Sequence, residues 1–177
     1  AVPALCALLS TFAQGQTLII DHNCTDVQKI PAAYVNKARE VFRVAYGHTS
    51  HGSQIVSGLD MLRKNNPTFF GFGEGGDGNL FLLDETPAGD LGNPNRSAWA
   101  QRTRELLNRP NNNLNMIVWS WCGQVSSASE NDIQTYLNLM SGLEKEFPAV
   151  KFVYMTGHLD GTGKNGNLNR RNEQIRE

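Results

Sequence analysis

Val44-Ala45-Tyr46-Gly47-His48-Thr49-Ser50-His51-Gly52-Ser53-Gln54-Ile55 carries a short apolar strand into a polar turn, and a helical pattern begins on the far side. The turn holds a serine between two histidines. In an open α/β sheet, ligands and reacting groups collect in the crevice outside the carboxyl ends of the strands. A hydroxyl delivered there by a tight turn makes Ser50 the candidate nucleophile. The competing role for a serine at a helix start is to cap the helix.

Outward from this segment, strand and helix patterns alternate. Thr17 to Asp21 reads as a first strand, Ala32 to Phe42 as a helix after Pro31, and Arg43 to Tyr46 as a second strand. From Gly52 to Lys64, Ile55, Leu59 and Leu62 recur at helical spacing, with Val56 widening the apolar face, and Asn65-Asn66-Pro67 ends the run. Pro67 to Asn95 contains seven of the chain's seventeen glycines and one apolar patch, Leu80 to Leu83, so it reads as a long surface excursion with one short strand. Ser97 is placed to cap a helix reaching Leu107. Met116 to Trp121 is a continuous apolar run typical of a buried parallel strand. Ile133, Leu137, Met140, Leu143 and Phe147 form one helical stripe, followed after Pro148 by a strand over Val150 to Met155. A last helical pattern, Leu168 to Arg176, runs off the end with no stop signal. This alternation predicts a parallel sheet covered on both faces, a three-layer α/β/α domain over residues 17–177.

The composition limits the partners. At 177 residues the chain suits one domain, and a formal charge of -1 supplies no basic field for nucleic acid. Residues 1–13 look like the end of a secretory signal peptide, with Thr11 and Ala13 at small-x-small spacing, or alternatively like an arm packed on the domain. A secreted or periplasmic protein is expected, and no apolar run is long enough to span a bilayer. Without Cys6, Cys24 and Cys122 remain, either as one disulfide or as two separate thiols.

Three strand ends should deliver polar groups to one edge of the sheet: His48 to Gly52, Cys122 to Gln124, and Thr156 to Asp160. A hydrolase built from them would use Ser50 as nucleophile and an imidazole as base, with backbone N–H groups and the Gln124 amide for the oxyanion. His48, His51 and His158 are the candidate bases, with Asp160 two residues beyond His158. A flanking histidine serves equally well to bind substrate. A metal site from His48, His51, His158 and Asp160 is the rival chemistry, although their spacing matches no named zinc motif. Trp119 and Trp121 read as core. No organic cofactor is implied, because the Gly-rich segment lacks a strand-to-helix phosphate fingerprint.

These residues resemble the SGNH, or GDSL-like, hydrolase superfamily, in particular secreted bacterial proteins with a strand followed by Gly-His-x-Ser-x-Gly, matched here by Gly47, His48, Ser50 and Gly52. The resemblance extends through Asp21 to Asp26, Trp119 to Gln124 and Met155 to Gly161. It implies a flavodoxin-like sandwich with Ser50 as nucleophile. Gln124 then stands where the superfamily has an oxyanion Asn, beside Gly123, and Gly92 in Asp90-Leu91-Gly92-Asn93 matches the oxyanion Gly. The superfamily's late Asp-x-x-His element is missing. Either it lies in a further C-terminal segment, leaving His158 and Asp160 to line the pocket, or His158 replaces it. The expected activity is removal of acyl groups such as acetate from a carbohydrate, with His48, His51, Gly92 and Asn93 contacting substrate. The alternatives are a non-catalytic carbohydrate-binding or surface-interaction protein of the same fold, and a carbohydrate-active lyase or metal-dependent enzyme.

Overall fold

The computed structural model describes residues 18–75, 78–86 and 92–177. The segment expected to be a signal remnant lies outside the described residues. Five strands form one sheet, β1 (Arg43–Gly47), β2 (Phe72–Gly73), β3 (Leu80–Glu85), β4 (Met116–Trp119) and β5 (Lys151–Val153), in the order β2-β3-β1-β4-β5. Every pairing is parallel. Seven α-helices accompany them among the described residues: α1 (Ala32–Val41), α2 (Ser53–Asn65), α3 (Pro67–Phe70), α4 (Ala98–Leu107), α5 (Gln124–Ser127), α6 (Glu130–Glu146) and α7 (Asn167–Arg176). Among the described residues no helix is long and apolar enough to cross a membrane.

β1 lies at the centre because its side chains are apolar on both faces. Val44 and Tyr46 face one way and pack with Leu82, Val56 and Leu59. Ala45 faces the other way and packs with Ile117, Leu106 and Leu107 of α4. Two-sided burial is what a central parallel strand requires, since helices cover both faces. On the α4 side, Ile133, Tyr136, Met140 and Leu143 of α6 form a second core with Leu168 and Ile175 of α7. A capping box holds the start of α6, with Ser129 and Asp132 each accepting the other's backbone N–H.

Four sequence expectations change. Leu18 to Ile20 form no strand and are exposed, and a 3₁₀ turn over His22–Cys24 follows, because no neighbouring edge pairs with them. Ile55 is 43% exposed, so α2 turns Val56 and Leu59 inward instead. Ser97 makes no capping bond to α4, since its hydroxyl donates to the Asn95 side chain at 2.7 Å. The excursion from Pro67 holds the expected short strand at Leu80 to Leu83, but as β3 it is an inner strand of the sheet and no surface feature, paired with β1 from Arg43 opposite Phe81 to Gly47 opposite Glu85, and the excursion adds α3 and β2.

The strand order places the functional edge. The chain leaves β1 toward β3 on one side, then returns to β4 on the other, so the crevice between the ends of β1 and β4 is the topological switch point. The carboxyl ends of β3, β1, β4 and β5 therefore lie side by side.

Candidate functional site

After Gly47 the chain turns sharply. Thr49 is extended, Ser50 has φ of +24°, and residues Ser50–Gly52 make a 3₁₀ turn leading into α2. Positive φ is strained for a residue with a side chain, and such strain clusters at functional positions. Space is equally restricted: a Cβ on Gly52 would run into the Cβ of His48. Beneath the turn, the buried Tyr46 hydroxyl donates to Gly52 O at 2.9 Å, and burial pushes its ionisation above the usual tyrosine range. The capping role is not taken up, since α2 starts at Ser53 with Gly52 as its cap residue and no side-chain cap bond. Ser50 is instead exposed at the switch point.

Beside the turn lies a cavity of about 40 Å³. Its walls are aromatic: Trp99, Trp119, Trp121 and Tyr136. His48, Thr49, Ser120, Gly92 and Gln124 complete the lining. The polar edges of the aromatic residues are directed into the fold. Trp99 Nε1 donates to Arg96 O at 2.9 Å, Trp119 Nε1 to Thr103 Oγ1 at 2.7 Å, and Trp121 Nε1 to Met155 O at 2.6 Å. The Tyr136 hydroxyl accepts from Met155 N at 3.1 Å, and burial pushes its ionisation well above the usual range.

Thr103 joins two of these walls, because its fully buried hydroxyl accepts from Trp119 and donates to Trp99 O at 2.8 Å. Thr103→Val keeps the shape and removes both bonds. It is expected to cost about 1–3 kcal/mol, since the Trp119 N–H is left without an acceptor. Chemical denaturation monitored by tryptophan fluorescence checks this, and an unchanged midpoint would count against it.

Three imidazoles surround the turn, each in a different setting. His48 is 5% exposed, stacks on Tyr46 at 4.9 Å, and sets Nε2 2.7 Å from the Asp84 carboxylate. An ionised carboxylate only accepts, so Nε2 carries a proton directed at Asp84. His51 stacks almost parallel on His158, ring centres 3.9 Å apart, and its Nδ1 is 3.5 Å from Cys122 Sγ. His158 Nδ1 donates to Leu159 O at 2.9 Å, which leaves Nε2 as a lone-pair acceptor. That Nε2 is shielded from solvent and has no partner among the described residues. The loop carrying His158 is itself held by Asn172 of α7, whose amide accepts from Gly157 N at 2.8 Å and donates to Gly157 O at 3.2 Å.

The structure thus gathers some of the expected residues and separates others. His48, Gly92 and Gln124 share the cavity, while Ser50, His51, Cys122 and His158 lie along the loops beside it. No hydrogen bond links the Ser50 hydroxyl to an imidazole among the described residues. Asp160 does not orient His158. Its carboxylate accepts from the Thr162 hydroxyl at 2.6 Å and the Thr162 N–H at 2.9 Å, which hold it below the usual carboxylate range. Neither Asp160 nor His158 lines the cavity. Gly123 caps α5 and is exposed, and Asn93 is exposed outside the cavity. Cys24 and Cys122 are separate free thiols. Among the described residues no three His, Cys, Asp or Glu side chains form a group that could hold a metal ion.

Asp84 is the residue that sequence reasoning missed. Its signal was present: an apolar run, Leu80 to Leu83, ending in two acids, the same strand-end pattern that singled out the other three segments. Glu85 makes a different contact, an ion pair with Arg102 of α4. Comparison of the chain with family models, with curated proteins and with solved structures returns no match.

Proposed function

We propose that this protein is a secreted serine ester hydrolase that removes small acyl groups from a carbohydrate. The observation that carries the reading is Ser50 itself: a serine at φ +24°, exposed, and free of any capping duty, on the turn that leaves the central strand at the switch point. A strained strand-to-helix turn is how α/β hydrolases present a nucleophile. His158 serves as base. Its Nδ1 proton is committed to Leu159 O, its Nε2 has a lone pair to receive the serine proton, and its ring lies on that of His51, the residue next to Ser50. In the first step the Ser50 oxygen bonds to the acyl carbon, its proton passes to Nε2, and the alcohol leaves with that proton. Water then releases the acyl group by the same route. Among the described residues no Lys, Arg, Asp or Glu lines the aromatic cavity, which supports a neutral substrate.

A fluorophosphonate probe tests the assignment. Stoichiometric phosphonylation mapped to Ser50, and lost in Ser50→Ala, is the expected result. An intact folded chain that takes up no label would instead make it a non-catalytic binding protein.

A further inference from the structure

Cys122 Sγ lies 3.5 Å from His51 Nδ1, a hydrogen bond between a free thiol and an imidazole that the proposed acyl transfer does not use. The two residues stand 71 apart in the chain and meet because β4 ends beside β1. The His51 ring is itself held, stacked on His158 with centres 3.9 Å apart and planes 16° apart. A nucleophile in contact with a base, the base oriented by a third group, is the arrangement that activates a thiol. Either protonation state of Nδ1 serves: a bare nitrogen takes the proton that sulfur sheds, and a protonated one donates to sulfur as negative charge develops.

Cys24 supplies the comparison. It is exposed, and its sulfur meets no imidazole but a carboxylate oxygen of Asp21, at 3.9 Å. That negative charge opposes the charge building on an attacking sulfur. Cys122 is only partly exposed. Access alone therefore favours Cys24, whereas the neighbouring groups favour Cys122. Partial burial also restricts Cys122 to small reagents.

We propose that Cys122 is a site of thiol–disulfide exchange with low-molecular-weight disulfides, promoted by His51. The Cys122 sulfur bonds to one sulfur of the disulfide, the S–S bond breaks, and the other half leaves as a thiol carrying the proton that Cys122 gives up. The product is a mixed disulfide, reversed by excess thiol. A group added to Sγ intrudes on the contact with His51, whose ring lies against that of His158. The adduct therefore disturbs the base assigned above. This last consequence rests on the proposed function; the exchange itself does not.

The full chain is treated with hydroxyethyl disulfide, a neutral reagent whose charge favours neither cysteine, and the modified peptides are followed by mass spectrometry. Cys122 is expected to react at least about tenfold faster than Cys24, a positioned base outweighing the loss of access. In urea the two rates should converge, because unfolding separates Cys122 from His51. His51→Phe keeps a ring to stack on His158 and removes the nitrogen. In it Cys122 should slow at least about tenfold, with Cys24 as the unchanged internal reference. A faster Cys24 in the native chain, or the same ratio in urea, would overturn the proposal even where the variant fails to fold. So would a folded His51→Phe in which Cys122 keeps its rate.

The adduct should also shift the ring signals of His158 in NMR and slow fluorophosphonate labelling of Ser50 severalfold, with dithiothreitol reversing both. Cys122→Ala is expected to label as the wild type does and to ignore the disulfide. Unchanged His158 signals would end the link to the base. Failure of the unmodified chain to label at Ser50 would count against the proposed function and leave the exchange at Cys122 standing.

Discussion

Replacing His158 by alanine is expected to slow fluorophosphonate labelling of Ser50 by about two to four powers of ten, the usual worth of a positioned general base. The reason lies in the tautomer. Leu159 O holds the proton on Nδ1, so Nε2 can take a proton from an alcohol without first losing one. His158→Gln is expected to fall almost as far, since an amide can mimic the hydrogen bond but not accept the proton. Chemical rescue separates this from a structural effect. Added imidazole should restore part of the labelling rate to His158→Ala, and the fold of that variant should persist by circular dichroism. The Ser50 hydroxyl makes no hydrogen bond to the ring in the free protein, which is common before substrate binds. If labelling survives in His158→Gln and is lost in a folded His48→Phe, then the His48–Asp84 pair is the base and the assignment to His158 fails.

Gly47→Ala is expected to destabilise the domain by about 3 kcal/mol, the upper end of what overpacking costs. Gly47 closes the central strand, paired with Glu85 on one side and Trp119 on the other. Its backbone needs no unusual freedom; what it needs is space. A Cβ there would come within 2.0 Å of Cε3 in the six-membered ring of Trp119, and that ring cannot step aside cheaply because its Nε1 is bound to the buried Thr103 hydroxyl. The ring also walls the cavity, so any relief of the clash changes the cavity as well. Urea unfolding should show a lower midpoint, and the Trp119 indole resonance should move in the native state. A midpoint equal to that of the wild type would show that the strand end yields more easily than this packing implies.

Local pattern made much of the fold legible. Arg43 to Tyr46 announced a strand, found over Arg43–Gly47; the stripe from Ile133 to Phe147 a helix, found over Glu130–Glu146; and Met116 to Trp121 a buried parallel strand, found over Met116–Trp119. The nucleophile turn was legible for the same reason, since its glycines and polar residues are contiguous. At Pro67 to Asn95 the strand over Leu80 to Leu83 was legible but its place inside the sheet was not. A parallel strand draws its hydrogen bonds from distant residues, and its own neighbours in sequence do not report them.

His48 and Asp84 show the division most clearly. Residue types and spacing by themselves established an α/β domain with a serine and two histidines on the turn after a core strand, because periodicity and turn chemistry act over a few residues. Only the tertiary structure decided which groups meet: His48 with Asp84, 36 residues on, and His51 with Cys122, 71 residues on, while Asp160 turns to Thr162. Those meetings follow from β3 and β4 lying on either side of β1. Strand order is settled by burying both faces of the whole sheet at once, a condition that no single segment of the chain contains.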